Sequence, residues 1–319
     1  MKLFKIKPAS ALLSYALLSV SMTPCSANQN DNGNHGYANS QTLENANKST
    51  VLQLSKSMLG QADEKALGRY FAKDLIQHDP ALLNGRQAML NSIHAMRQQM
   101  PARTLTVKHI LADRDIVFVH SQISATPANE MSGVNRYDTY RLDDGVIVEH
   151  WVVQADAPTT SASGNSEFSD LYTYASPPAP VSQDRMEMNR LLAKSLSEDV
   201  FALRNFGVLD RLWATNYIQH NPYLINGRAA LAGALPYFVP VGNLYSVTRS
   251  MSDGDLALVC AHGQAPGSNP ADEFSGGAVC DLYRVVNYEM VEHWDVWQAV
   301  PATSVNGNSM FSNLYRKDR

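Results

Sequence analysis

Long apolar runs are almost absent from this 319-residue chain. The one that stands out, residues 9–22, is shorter than the ~20 residues a membrane-crossing helix needs, so no membrane span is expected. Cysteine is scarce: three residues are too few for a disulfide scaffold and do not make a zinc-finger pattern. Positive charge is not in excess either, with 26 Lys and Arg against 30 Asp and Glu and a net charge of −4. Nothing in that balance favours nucleic acid or an acidic membrane surface as a partner. Charged residues make up only 18% of the chain and hydrophobic ones 45%. That excludes a mostly disordered polymer and leaves enough apolar side chain for two cores.

The N-terminus reads as an address. Lys2, Lys5 and Lys7 precede the apolar run, and Cys25-Ser26-Ala27 supplies small residues before a cut. This is the three-part layout of a secretory signal peptide. Cleavage after Ala27 makes residues 1–27 the signal and the mature protein exported, in the periplasm or secreted. Lipidation at Cys25 is the weaker reading, because Pro24 and Met22 occupy the positions where such signals carry a small residue and a leucine. Residues 28–47 are rich in asparagine and poor in apolar residues, so a disordered tether is expected there.

The rest of the chain is one domain written twice. Tyr70-Phe71-Ala72-Lys73-Asp74-Leu75-Ile76-Gln77-His78-Asp79-Pro80 returns as Leu212-Trp213-Ala214-Thr215-Asn216-Tyr217-Ile218-Gln219-His220-Asn221-Pro222. Asn84-Gly85-Arg86 returns as Asn226-Gly227-Arg228, Glu149-His150-Trp151 as Glu292-His293-Trp294, and Gly164-Asn165-Ser166 as Gly307-Asn308-Ser309. The nearly constant spacing of four landmarks marks a duplication. Three prolines within residues 175–180 form a semi-stiff linker, which places the domains at 48–174 and 181–319. Each copy begins with helical periodicity, as in Leu191, Leu192, Leu196, Val200, Phe201 and Leu203, then a short helical piece ending near Trp213, then a helix opening at Arg228. Four strands follow in the second copy, at 245–251, 256–264, 277–286 and 290–300. Helices first and antiparallel strands after predict an α+β domain with helices on one face of a curved sheet.

The second copy's Gln219-His220-Asn221-Pro222, Asn226-Gly227-Arg228, Glu292-His293-Trp294-Asp295 and Gly307-Asn308-Ser309 closely resemble the SnoaL-like branch of the nuclear transport factor 2-like superfamily, and the first copy resembles it less completely. The resemblance implies two tandem cone-shaped α+β barrels, each a bent sheet wrapped around a pocket. It also implies a choice among polyketide cyclases, ketosteroid isomerases, other enzymes and non-catalytic binders, because fold alone does not select one.

The pocket residues must make that selection. Strand alternation puts His293 and Asp295 on one face. His262 and Asp281 lie on neighbouring strands, and His220 precedes Pro222 at the end of a helical region. These five are the candidate catalytic residues. An aspartate in an apolar pocket gains basicity, so Asp295 is the expected base for a proton beside a carbonyl. His293, His262 and His220 would orient it or polarise the carbonyl. Such chemistry on a small apolar molecule needs no cofactor and no metal. Three histidines with an aspartate could bind a divalent ion, but the spacing is no recognised metal motif. A non-catalytic small-ligand-binding protein, or a vestigial pocket in an assembly domain, is the competing reading.

The first copy keeps His78, Asp138 and His150 but has Val152 where the second has Asp295, so its site is expected to be degenerate. The two copies are expected to pair within the chain as a pseudo-dimer. If His262 and Asp281 both face the pocket, Cys260 and Cys280 point to opposite faces, and no bond between them is expected.

Overall fold

The computed structural model describes residues 32–60 and 62–317. The expected signal peptide lies outside them. The first copy runs α1 (Asn32–Met58), α2 (Glu64–Gly68), β1 (Phe71–Gln77), α3 (Arg86–Gln99), β2 (Thr104–Asp113), β3 (Ile116–Ser124), β4 (Val134–Asp143) and β5 (Val146–Asp156). The second runs α4 (Gln183–Ser197), a π turn at Glu198–Ala202, a 3-10 turn at Phe206–Val208, α5 (Leu209–Leu212), β6 (Trp213–Gln219), α6 (Arg228–Phe238), β7 (Leu244–Asp253), β8 (Leu256–Gln264), β9 (Gly277–Val286) and β10 (Glu289–Ala299).

Each copy forms a five-stranded sheet, ordered β1-β5-β4-β3-β2 and β6-β10-β9-β8-β7. The last four strands of each copy are antiparallel neighbours, and the first pairs parallel with the last. Irregularities recur at matching places, between Val107 and His109 and between Val247 and Arg249. A bulge of this kind bends a strand and lets the sheet curl. The fold is therefore α+β, two tandem cones, as expected. The helices lie on one face of each sheet. Val51, Leu54 and Met58 of α1 meet Val117 and Val119 of β3, while Ala193, Leu196 and Val200 meet Ala257 and Val259 of β8.

The parallel strand is the element that the sequence reading missed. Residues 213–219 follow a helical turn at once, so their helical neighbours masked them. His220 consequently ends a strand, not a helix. The Asn-Gly-Arg landmark is structural: Gly227 has φ +99°, a region glycine enters without strain. There it starts α6 while Asn226 Oδ1 accepts from Gln219 N at 2.8 Å. Asn84 does the same for Gln77 N at 2.9 Å.

Two expectations about boundaries change. Residues 32–47 begin α1 instead of forming a tether. Buried Asn47 donates to Arg114 O, and Glu44 accepts from Arg114 N, so the turn after β2 holds that end of the helix. The segments that follow the two sheets also cross over. Residues 161–174 dock on the second copy and residues 304–315 on the first. Asn165 Nδ2 donates to Gln219 O and Asn226 Oδ1, and Asn308 Nδ2 donates to Gln77 O and Asn84 Oδ1. The Gly-Asn-Ser landmark of each copy therefore serves the other.

The outer faces of the two sheets pack together. Leu111, Phe118, Tyr137 and Val153 meet Leu258, Leu282, Trp294 and Val296 in one buried cluster. Burying such faces against each other removes apolar area from water at about 25 cal/mol per Å². Cys260 and Cys280 stand directly opposite each other on this face and form a disulfide. Their expected separation to opposite faces was wrong because His262 lies on the interface side, not in the pocket.

Candidate active site

The second cone encloses a cavity of about 110 Å³. Its walls are largely apolar, including Leu196, Val200, Tyr217, Leu231 and Leu235, and its polar groups are few. Asp281, His293 and Asp295 line it together. Asp281 and Asp295 are directly opposed across β9 and β10, so the pleat sends both carboxyls to one face. His293 sits two residues before Asp295 on the same strand face.

The hydrogen bonds define the histidine. Gln219 Oε1 accepts from Asn221 N at 2.9 Å, which orients its oxygen towards His293 Nδ1 at 2.8 Å. Nδ1 therefore carries a proton. His293 Nε2 faces Asp281 Oδ1 at 3.0 Å. Burial opposes the charged ring, yet the bond to Asp281 and the Asp295 charge outweigh it and raise the His293 pKa. Burial raises the Asp295 pKa and the Asp281 charge adds to this, against the opposing pull of His293 and Asn221. Asn221 Nδ2 donates to Asp295 Oδ2 at 2.7 Å and fixes the carboxyl plane. The second oxygen of Asp281 is buried without a hydrogen-bond partner.

His220 and His262 do not join this group. His220 stacks on Trp294 at 4.9 Å and reaches Ser166 O at 2.6 Å and Glu292 Oε1 at 2.9 Å. It is an anchor for the crossing segment of the first copy. His78 makes the same set with Trp151, Ser309 O and Glu149. His262 stacks on Phe311 at 4.0 Å and bonds Ser275 O at 2.7 Å in the interface between copies. Alternation explains the placement of His262. Val259 pairs with Asp281 and shares its face, and His262 is three residues further along β8. Of the five candidates, the structure brings together Asp281, His293 and Asp295.

Gln219 and Asn221 were missed as site residues, although both sit in the quoted Gln-His-Asn-Pro landmark. The signal was available in that run: residues 219 and 221 flank His220, and both line the cavity that His220 does not reach. Glu167 was missed as well. It comes from the crossing segment of the first copy, is buried, and is raised to about 8 by burial and then by the Asp295 charge.

The first cone differs from the second at its floor. His150 bonds Asp138 at 2.8 Å and Gln77 at 2.9 Å, repeating the second copy. Arg136, however, occupies the position of Val279 and clamps Asp138 through Nε at 2.8 Å and Nη2 at 2.7 Å. Burial would raise the Asp138 carboxyl; Arg136 and His150 overcome it and hold it down at about 2. Val152 faces Asp138 where Asp295 faces Asp281. A carboxylate neutralised by a bidentate guanidinium is a poor base.

Asp281, His293 and Asp295 are also the one cation-compatible group among the described residues, with ligand atoms within 4.8 Å of one another. Both His293 nitrogens already face oxygen partners, so a metal would have to displace the bond to Asp281. The donor set fits proton transfer better than ligation.

Fold and site together define a paired cone of the α+β, pocket-bearing class. Residues 54–150 match the SnoaL-like domain model, so the first copy carries a SnoaL-like domain. The family match falls on the first copy, although the motifs carrying the resemblance were fuller in the second. Among solved structures, an NTF2-like protein from Mesorhizobium loti is 20% identical and covers 37% of this chain and 96% of its own, with a TM-score of 0.31. A candidate SnoaL-like polyketide cyclase from Jannaschia sp. CCS1 is 17% identical over 35% of this chain and 87% of its own, with a TM-score of 0.31. A candidate ketosteroid isomerase from Kribbella flavida is 22% identical over 35% and 79%, with a TM-score of 0.30. No curated protein matches the chain. Among the described residues no helix is long and apolar enough to cross a membrane.

Proposed function

We propose that the second cone catalyses cofactor-independent proton transfer at a carbon beside a carbonyl, on a small apolar molecule, in an exported protein. One observation carries the reading: Asp295 is a carboxyl of raised pKa in an apolar chamber, held by Asn221 and faced by the Asp281–His293 pair. Asp295 takes the proton from carbon, the C–H electron pair moves into the carbonyl as an enolate, and the proton returns to carbon from Asp295. The positive His293 ring beside the carboxyls offsets the negative charge that develops. The same arrangement serves isomerisation, cyclisation or aldol chemistry, depending on which carbon receives the electrons.

Solvent deuterium exchange at the α-carbons of cyclohexanone tests this. The full chain should accelerate exchange, with an acid limb displaced above the ordinary carboxylate range because the active base is ionised Asp295. Asp295→Asn should return the rate to background. No acceleration by the wild type, or an equal rate in the variant, would overturn the proposal.

A further inference from the structure

The floors of the two cones differ in where positive charge comes from. In the first, Arg136 donates to Asp138 through Nε at 2.8 Å and Nη2 at 2.7 Å, and its third nitrogen donates to Gln154 Oε1 at 2.8 Å. Arg136 and Gln154 are register partners across β4 and β5, so the guanidinium lies over that pair. The matching pair in the second copy is Val279 and Trp297, neither of which supplies a cation. Among the described residues, Asp281 pairs with His293 and Asp295 is held by the neutral Asn221; no lysine or arginine pairs with either carboxyl, and none lines the chamber.

No other side chain takes the place of the guanidinium. Arg136 and Val152 are buried, whereas their counterparts Val279 and Asp295 keep part of their surface accessible. Trp297 is large enough to cover both, but its ring lies on Gly277, where any Cβ would strike it. Gly277 is two residues from Val279 on the side away from Asp281, and the first copy has Val134 at that position. The glycine thus draws the indole aside and leaves a recess at the rim of the chamber, floored by Val279 and bordered by Asp281 and Asp295. Two carboxyls and one imidazole meet there, so full ionisation leaves one negative charge unbalanced. A carboxylate withdrawn from water gains most from a cation that also hydrogen-bonds it.

We infer that this recess binds a small organic cation, an amidine, guanidine or primary amine on an apolar body, in the place that Arg136 fills in the first cone. Asp295 is the accessible carboxyl and takes the ligand's N–H donors. Asn221 occupies one acceptor position of that carboxyl, and an ionised carboxylate offers about four. A planar amidinium fits best, because its two parallel N–H groups match the two oxygens of a carboxylate. The apolar body enters the chamber beside Leu224, Leu231 and Phe238, where a volume of about 110 Å³ limits it to about one six-membered ring. The inference stands apart from the proton-transfer reading. Where both hold, the cation is an inhibitor, since a paired carboxylate is a poor base.

Calorimetric titration of the full chain with benzamidine and with benzamide, its neutral isostere, tests this in mildly alkaline buffer. EDTA is present so that no metal ion bridges ligand and carboxyls. Benzamidine should bind at millimolar concentration or below, and benzamide should not. Val279→Arg, which installs the first copy's own cation, should abolish binding. If that variant fails to fold, Asp295→Asn keeps the size of the side chain and should weaken binding about tenfold to a hundredfold. No binding of benzamidine, equal affinity for the two ligands, or unchanged affinity in folded Val279→Arg or in Asp295→Asn would overturn the inference. Cyclohexanone exchange that persists at saturating benzamidine would put the bound cation elsewhere and overturn it too. A chain that binds benzamidine through Asp295 but exchanges no ketone hydrogens would leave the cation site standing and refute the proton-transfer reading alone.

Discussion

The two cones share strand order, bulge positions and anchoring, yet an arginine compensates the buried carboxylate of one, while the other sets two carboxyls beside one imidazole in an apolar cavity. In the first, Arg136 and His150 neutralise Asp138, and Val152 removes the second carboxyl. In the second, Val279 and Asp295 occupy the corresponding positions, so two carboxyls and one imidazole face an apolar space. A buried, fully paired cluster adds to the integrity of a fold; a buried, incompletely paired one costs stability and is retained where a ligand completes it. The difference teaches that the two copies share their anchoring and diverge at the floor of the cone. The anchors shared by both copies hold the assembly together, and the divergent floor of one cone is where the proposed chemistry sits.

The largest expected effect comes from exchanging the floors. Asp295→Val, which installs the first copy's residue, should lower α-exchange by about 10²–10⁴-fold, while Val152→Asp should leave the rate unchanged because Arg136 would take up the new carboxylate. A rate gain from Val152→Asp would show that the first cone is closer to activity than its clamp implies.

Next come the anchors, where the copies should behave alike. Glu292 accepts from Leu171 N and faces His220 and Arg284; Glu149 accepts from Leu314 N and faces His78 and Arg141. Removing one partner of a buried charged group costs about 3–5 kcal/mol. Glu292→Gln and Glu149→Gln should each lower the urea midpoint by similar amounts, and a large effect from only one would break the symmetry of the crossing segments.

The disulfide gives a smaller, one-sided effect. Cys260 and Cys280 are directly opposed in the second copy, and His120 and Tyr137 hold the matching register pair in the first, their rings 4.7 Å apart. Closing a loop of this length stabilises by roughly 3 kcal/mol. Reduction should lower the unfolding temperature and speed hydrogen exchange in β8 and β9 before β3 and β4.

The smallest effect tests the crossing segment of the first copy beside the second site. The Glu167 pKa rises from 4.5 to about 8 on folding. A group whose folded pKa is raised contributes its stability below the unfolded value and loses it as pH rises through the folded one. Wild-type stability should therefore fall more steeply between pH 5 and 8.5 than that of Glu167→Gln, as read from unfolding at each pH. Parallel pH curves would show that Glu167 keeps an ordinary pKa. Met310 stands at the matching place in the second crossing segment and has no such titration.

Much of this was legible beforehand. The repeat, the helix-then-strand order and the shared face of His293 and Asp295 follow from spacing and from the two-residue period of a strand. His262 was misplaced because alternation runs within one strand, whereas its relation to Asp281 depends on the register between two. His220 was misplaced because β6 lies beside β10 only through a long-range parallel pairing. The Asn-Gly-Arg and Gly-Asn-Ser landmarks were visible as repeats, but not as partners of each other.

Sequence alone determined the duplication, the helix-then-strand α+β order and the inequality of the copies at Asp295 and Val152, because local period and residue identity are properties of the chain. Tertiary structure decided which histidines meet the aspartates, that Arg136 clamps Asp138 in the first cone, and that Cys260 bonds Cys280. Each depends on register and sheet packing between residues distant in the chain, where a one-residue shift sends a side chain to the opposite face.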